Sequence, residues 1–227
     1  MQRAFQFLLA VVLLPAAMTQ APAESPAPIH VATYVEVGTG SVNDGIALLR
    51  QYRDATRKEA GNIRAGAGQE IGRANRFVLL ESWKDQAAFD AHGQSAATVA
   101  FRDKFKSIQN APYDERVHAG LTIADSPSGA KSAVYVVSHV DVPPPKKEDA
   151  IAALNPVADA SRKSASNLRF DVWQQTSRPN HFTVVEAWKD QQAYDARGSA
   201  APQRSFRDTL GPMLGALYDE RIFHPLD

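Results

Sequence analysis

The sequence predicts an α+β protein made of two ferredoxin-like βαββαβ modules, joined within one chain as a pseudo-dimeric α/β barrel. Three observations carry that expectation: an internal repeat, a switch between strand and helix periodicity inside each copy, and sheet surfaces too apolar to stand in water.

The repeat dominates. A constant offset of 105 residues, that between Asp54 and Asp159, aligns the two halves without a gap. Asp54-Ala55-Thr56-Arg57-Lys58 returns as Asp159-Ala160-Ser161-Arg162-Lys163, and Asn62-Ile63-Arg64 as Asn167-Leu168-Arg169. Glu81-Ser82-Trp83-Lys84-Asp85-Gln86 returns as Glu186-Ala187-Trp188-Lys189-Asp190-Gln191, and Tyr113-Asp114-Glu115-Arg116 as Tyr218-Asp219-Glu220-Arg221. Roughly 37 aligned positions are identical, which is duplication and not chance. The first copy spans 29–124 and the second 132–227, with a Ser-Pro-Ser-Gly connection in 125–131.

Each copy reads in the same order. Ile29 to Val37 alternates with a period of two, which predicts a strand. Asn43 to Ala60 puts Ile46, Leu49 and Ala55 on a helical stripe. Asn62 to Glu70 is a weak strand because glycines interrupt it, whereas its counterpart Asn167 to Gln174 is a clear one. Arg76 to Trp83 is a third strand. Asp85 can cap an interrupted helix running to about Ser107, and Tyr113 to Leu121 closes the module. With both helices on one sheet face, the other face needs a second layer. Phe77, Leu79, Glu81 and Trp83 share one face of the third strand, and Phe182, Val184, Glu186 and Trp188 share its counterpart. These are the surfaces expected to meet between the copies and enclose a pocket.

The first residues stand apart. Arg3 precedes a mostly apolar run from Ala4 to Leu14, and Ala21-Pro22-Ala23 fits a small-x-small cleavage pattern. This predicts a signal peptide over 1–23, a short leader over 24–28, and an exported, periplasmic or secreted protein. No membrane association is expected after cleavage. The chain has 25 Lys plus Arg, 25 Asp plus Glu and no cysteine, so no global field favours nucleic acid and no disulfide forms. Gly38-Thr39-Gly40 has the wrong spacing to Gly45 for a dinucleotide loop, and the second copy replaces it with Pro143-Pro144-Pro145.

Several strings carry a resemblance to a known family. They are Asn62-Ile63-Arg64, Asn75-Arg76-Phe77, Glu81-Ser82-Trp83 and Ala88-Phe89-Asp90-Ala91-His92 in the first copy. The second copy has Asn167-Leu168-Arg169, Asn180-His181-Phe182, Glu186-Ala187-Trp188 and Ala193-Tyr194-Asp195-Ala196. At these residues the sequence resembles the antibiotic biosynthesis monooxygenase family of the dimeric α/β-barrel superfamily, over both halves. The resemblance implies an oxygenase that needs no flavin, metal or haem and acts on a small quinol or polyhydroxylated aromatic. Asn62, Trp83, Asn167 and Trp188 resemble the family's pocket residues, and His92 sits where members often carry a helix histidine. Glu81 and Glu186 share the tryptophans' face, where a desolvated carboxylate can act as base or hydrogen-bond acceptor.

Each of these residues also has a plain structural reading. The tryptophans can be core, the asparagines can bond backbone at a strand start, and the glutamates can pair with Arg64, Arg169 or an arginine of the Tyr-Asp-Glu-Arg segments. His92 has no second histidine one helical turn away and no cysteine nearby, so no metal site is expected. His30 and His139 share a strand face with Tyr34 and Tyr135 and can line a cavity instead. The second copy has Arg197 where the first has His92, and both lack a further downstream histidine common in the family. If that histidine is needed for turnover neither copy is fully equipped, and the expectation is two unequal pockets, or one working and one vestigial. A non-catalytic module binding a hydrophobic small molecule is the alternative, haem binding a weaker one, and further self-association stays open.

Overall fold

The computed structural model describes residues 27–124 and 133–226. The expected signal peptide, most of the leader and the connection at 125–131 lie outside the described residues.

The first copy runs β1 (Ile29–Glu36), α1 (Val42–Thr56), β2 (Asn62–Glu70), β3 (Arg76–Trp83), α2 (Gln86–Gly93), α3 (Ala96–Lys106) and β4 (Asp114–Thr122). The second runs β5 (Val134–Asp141), α4 (Lys147–Arg162), β6 (Asn167–Gln175), β7 (His181–Trp188), α5 (Gln191–Ser199), α6 (Ala201–Leu210) and β8 (Asp219–Pro225). Local chemistry sets the boundaries. Asp85 and Asp190 accept the amides of Ala88 and Ala193 and so start α2 and α5. Ser95 accepts from Thr98 and starts α3, which explains the interruption of that helix. Gly61 turns the chain from α1 into β2 at φ +83°, where a Cβ would lie 2.6 Å from that of Ala88.

The eight strands close into one antiparallel barrel in the order β1-β3-β2-β8-β5-β7-β6-β4. Within each copy the order is that of a split βαββαβ sheet. The copies are stitched together at two seams, β2 with β8 and β4 with β6. Closure pairs each module's edge strands with the other's, which is why the duplicated halves form one body.

One expectation is overturned. Phe77 and Leu79 pack with Leu49, Tyr52, Phe101 and Phe105, so their strand face lies under the module's own helices. Phe182 and Val184 do the same under α4 and α6, with Leu154, Phe206 and Leu210. The faces that meet between the copies carry Ala32, Tyr34, Val78, Leu80, Val137, Trp173, Val185 and Phe223. Large side chains fill both spaces, Phe77, Phe101 and Phe105 under the helices of the first copy and Trp173 and Phe223 inside the barrel. Burying each large side chain contributes about 1.5–3 kcal/mol, so both faces stabilise the fold.

Candidate active site

Because β3 turns its odd-numbered residues towards the helices, Glu81 and Trp83 stand beneath α1, α2 and α3 of their own copy. His92 descends on them from the last turn of α2. Its ring lies 4.4 Å from that of Trp83, centroid to centroid. All three are buried, Trp83 completely. The Trp83 indole N–H donates to Glu81 Oε2 at 3.1 Å, and His92 Nε2 lies 3.5 Å from the same oxygen.

Two residues not singled out in the sequence complete the cluster. Tyr52 of α1 places its hydroxyl 2.8 Å from His92 Nε2. Glu59, just past α1, sets Oε2 2.8 Å from His92 Nδ1, and its other oxygen accepts from the Ser95 hydroxyl at 2.9 Å. The Glu59 carboxylate fixes the proton of a neutral His92 on Nδ1, so Nε2 accepts from Tyr52. Nε2 is thus an acceptor oriented by a carboxylate behind it, the arrangement of a general base. Burial raises the Glu81 carboxyl above the ordinary carboxylate range, with His92 opposing. Burial, reinforced by Glu81, also pushes the Tyr52 phenol up. The same burial that shifts both groups keeps bulk water away from the cluster.

The second copy has lost this device. At the positions of Tyr52, Glu59 and His92 it carries Val157, Ser164 and Arg197. Glu186 and Trp188 persist, with the indole donating to Glu186 at 2.8 Å. Arg197 now holds Glu186, with Nε 2.7 Å from Oε2 and a second contact to Oε1, and also reaches Glu220 at 3.1 Å. None of the arginines named from the sequence pairs either glutamate. Arg169 pairs Asp171, while Arg116 and Arg221 pair Asp114 and Asp219. A buried guanidinium between two carboxylates is a structural clamp with no acceptor free to take a proton.

Asn62 and Asn167 lie apart from these clusters. Each donates its amide to a backbone carbonyl two residues on, Arg64 O at 3.3 Å and Arg169 O at 3.0 Å, across a register shift at the start of its strand. Asn62 also borders a separate cavity described below. His30 and His139 point into the barrel as their strand parity requires. Among the described residues, no group of three or more His, Cys, Asp or Glu side chains converges as a metal site.

Fold and site together define a tandem α/β-barrel protein with one proton-handling cluster and one ion-paired counterpart. A model of the antibiotic biosynthesis monooxygenase family matches residues 28–104 and 133–209, more than half of the chain. The chain belongs to the antibiotic biosynthesis monooxygenase family. It is 30% identical over 86 residues to the Bacillus subtilis protein named "Putative monooxygenase YcnE", covering 38% of this chain and 90% of that one. Among solved structures it superposes on a Fusobacterium nucleatum protein named "Putative monooxygenase" with TM-score 0.82 at 16% identity, covering 89% of this chain and 94% of that one. A protein described as anthrone oxidase-like superposes with TM-score 0.67 at 11% identity, covering 89% and 92%. At such identities the superpositions establish the barrel architecture.

Proposed function

We propose that the first copy is a cofactor-independent oxygenase site for a small quinol or polyhydroxylated aromatic, and that the second copy is its structural counterpart. One observation carries the reading. Tyr52, Glu59, Glu81 and His92 converge beside Trp83 in the first copy, and the second copy has lost three of these five residues together. Family membership and the name of the Bacillus subtilis relative support the reaction class.

A hydroxylated ring with a C–H position ortho or para to its hydroxyl gives its phenolic proton to His92 Nε2, directly or through Tyr52. The Glu59 carboxylate stabilises the imidazolium that forms. The phenolate then reduces dioxygen itself. Electron transfer and recombination form a carbon–oxygen bond at the ring C–H position and yield a peroxide, which is protonated by the imidazolium. Loss of the ring hydrogen with cleavage of the O–O bond leaves a quinone carbonyl and releases one water. The substrate supplies all four electrons, so one oxygen atom enters the product and the other leaves in water. A dry, preorganised site favours this path because the developing charges meet fixed dipoles.

A cleft of about 80 Å³ between α1 and α3 lies directly on Tyr52 and Phe101. It is smaller than an aromatic substrate, so binding requires these two helices to part there. We propose export as well, supported by Arg3, the apolar run Ala4 to Leu14 and the Ala21-Pro22-Ala23 pattern. The mass of the protein recovered outside the cytoplasm tests that.

The test of the reaction is oxygen uptake by metal-stripped protein against a panel of hydroquinones, naphthols and anthrones. Uptake above buffer with at least one, abolished in His92→Gln, is expected. No uptake with any of them, from folded protein, contradicts the proposal.

A further inference from the structure

The two copies differ a second time, at a place unrelated to the His92 cluster. On β6 the residues Phe170, Asp171, Val172 and Trp173 are all buried. Trp173 fills the barrel on that side, stacked 5.0 Å from His30 at an interplanar angle of 18°, and Asp171 pairs Arg169 at 2.6 Å. The same positions of β2 are Ala65, Gly66, Ala67 and Gly68. On this side Phe223 packs against Gly68, where a Cβ would lie 2.9 Å from its own, and a cavity of about 620 Å³ is bounded by Gly66, Gly68, Val78, Leu80 and Tyr135, the counterpart of His30. This volume lies within the range of small-molecule sites.

The seam above it is short. β2 pairs with β8 over Gly68–Glu70, extended by Leu226 N donating to the Ala67 carbonyl and Ile71 N to that of Ile222, so the stretch from Asn62 to Gly66 leaves a mouth to the outside. At the opposite seam β6 pairs with β4 from Val172 to Gln175, and the Ala124 amide adds a bond to Asp171. That side is closed.

The wall chemistry names the ligand class. Four arginines line the cavity: Arg53 of α1, Arg57 just past its end, Arg64 from β2 and Arg169 from β6. Among the described residues no carboxylate lines it. Arg53 and Arg169 each keep one acidic partner behind them, Asp54 at 2.8 Å and Asp171 at 2.6 Å. Arg57 donates to the Ala65 carbonyl at 2.8 Å and lies 3.9 Å from Asp54, which anchors its guanidinium at the mouth. Apolar Val78, Leu80 and Pro225 and the Tyr135 ring form the remainder of the wall that the ligand body would meet.

We propose that this cavity is a second small-molecule site, separate from the His92 cluster, which takes an aromatic carboxylate: a flat apolar body among Val78, Leu80 and Tyr135, with its anionic group among the arginines. Guanidinium forks match a carboxylate in two-point geometry, and the apolar floor contributes by burial. Gly66 leaves the space open, its Cβ position meeting only the Leu80 carbonyl, and the small residues of β2 stand where β6 carries Phe170, Asp171 and Trp173.

Isothermal titration calorimetry with 2-naphthoate, and with neutral 2-naphthalenemethanol as its isostere, tests the proposal on the full chain. The carboxylate should bind at least tenfold more tightly than the alcohol. Gly66→Leu, whose added Cβ finds only the Leu80 carbonyl at 3.9 Å, should abolish binding with an unchanged melting temperature. Arg64→Gln should weaken it at least tenfold and needs no new volume in the barrel. His92→Gln should leave naphthoate binding unchanged, so failure of the oxygenase reading and failure of this one are distinguishable. Equal affinity for the alcohol, or full naphthoate binding in folded Gly66→Leu and Arg64→Gln, overturns the proposal.

Discussion

Tyr34 and His139 occupy the same position in the two copies, and they touch: the Tyr34 hydroxyl lies 2.7 Å from His139 Nε2. Two repeat-related side chains can meet only near the axis that relates the copies, so this contact marks the centre of the barrel. Its protons can be assigned from partners. Arg116 can only donate, and its Nη1 lies 3.2 Å from the same Nε2, so Nε2 accepts and His139 carries its proton on Nδ1. Nδ1 then donates to Thr183 at 3.1 Å, and the Thr183 hydroxyl donates to His118 Nε2 at 2.9 Å. Arg116 and Arg221, again repeat-related, both lie over the Tyr34 ring.

This network predicts acid sensitivity. Burial lowers His30 and His118 to about 4, and burial with Arg116 lowers His139 to about 3. All three are neutral when folded, while the unfolded chain takes up protons near 6.5. The unfolded state therefore binds more protons between those limits, and stability is complete above pH ~6.5 and lost as the pH falls towards 4. The combined loss is of the order of several kcal/mol. Urea titrations across pH 4–7 should show it, and His139→Gln should flatten the slope. A stability independent of pH in that window contradicts the assignment.

The clamp in the second copy should behave as a buried ion pair. Glu186→Gln leaves Arg197 facing one acceptor fewer and should cost about 3–5 kcal/mol. The double variant Glu186→Gln/Arg197→Met should recover part of that loss, because it removes the stranded charge along with its partner. Denaturant midpoints of both variants measure the difference. A double variant less stable than Glu186→Gln contradicts the clamp.

Trp173 and Gly68 set the asymmetry of the barrel interior. Trp173→Ala removes a completely buried ring and should lower stability by about 3–5 kcal/mol, measured by calorimetric or denaturant unfolding. It should also open a second cavity next to His30. A loss under about 1 kcal/mol would mean that the barrel collapses around the vacancy.

Tyr52→Phe removes the hydroxyl between the α1–α3 cleft and His92 while keeping the ring that stacks 4.2 Å from Phe101. If Tyr52 relays the substrate proton, kcat should fall about 10²-fold with KM nearly unchanged. An unchanged kcat assigns the transfer to His92 alone.

Much of the architecture was legible in the sequence. The weak strand at Asn62–Glu70 and the strand at Arg76–Trp83 fall on the residues expected, and the 105-residue offset foretold a pseudo-symmetric assembly. The face of β3 was not legible. Seven of its eight residues are buried, so alternation distinguishes two faces without saying which one meets the helices. Size gave no clue either, since Leu79 lies under the helices and Leu80 in the barrel beside Trp173 and Phe223. Tyr52 and Glu59 escaped notice because a helix position and a turn position next to charged neighbours look like ordinary surface. Their signal was joint departure from the repeat, since positions 52, 59 and 92 all change in the second copy while Glu81 and Trp83 return.

The central claim is that proton-handling chemistry resides in one copy alone. Its most direct test compares equivalent lesions in the two halves by quinol-dependent oxygen uptake. Glu81→Gln/His92→Gln should reduce kcat at least ~100-fold, whereas Glu186→Gln/Arg197→Met should stay within about twofold of the parent protein. Equal losses in the two variants, or a loss confined to the second, would contradict it.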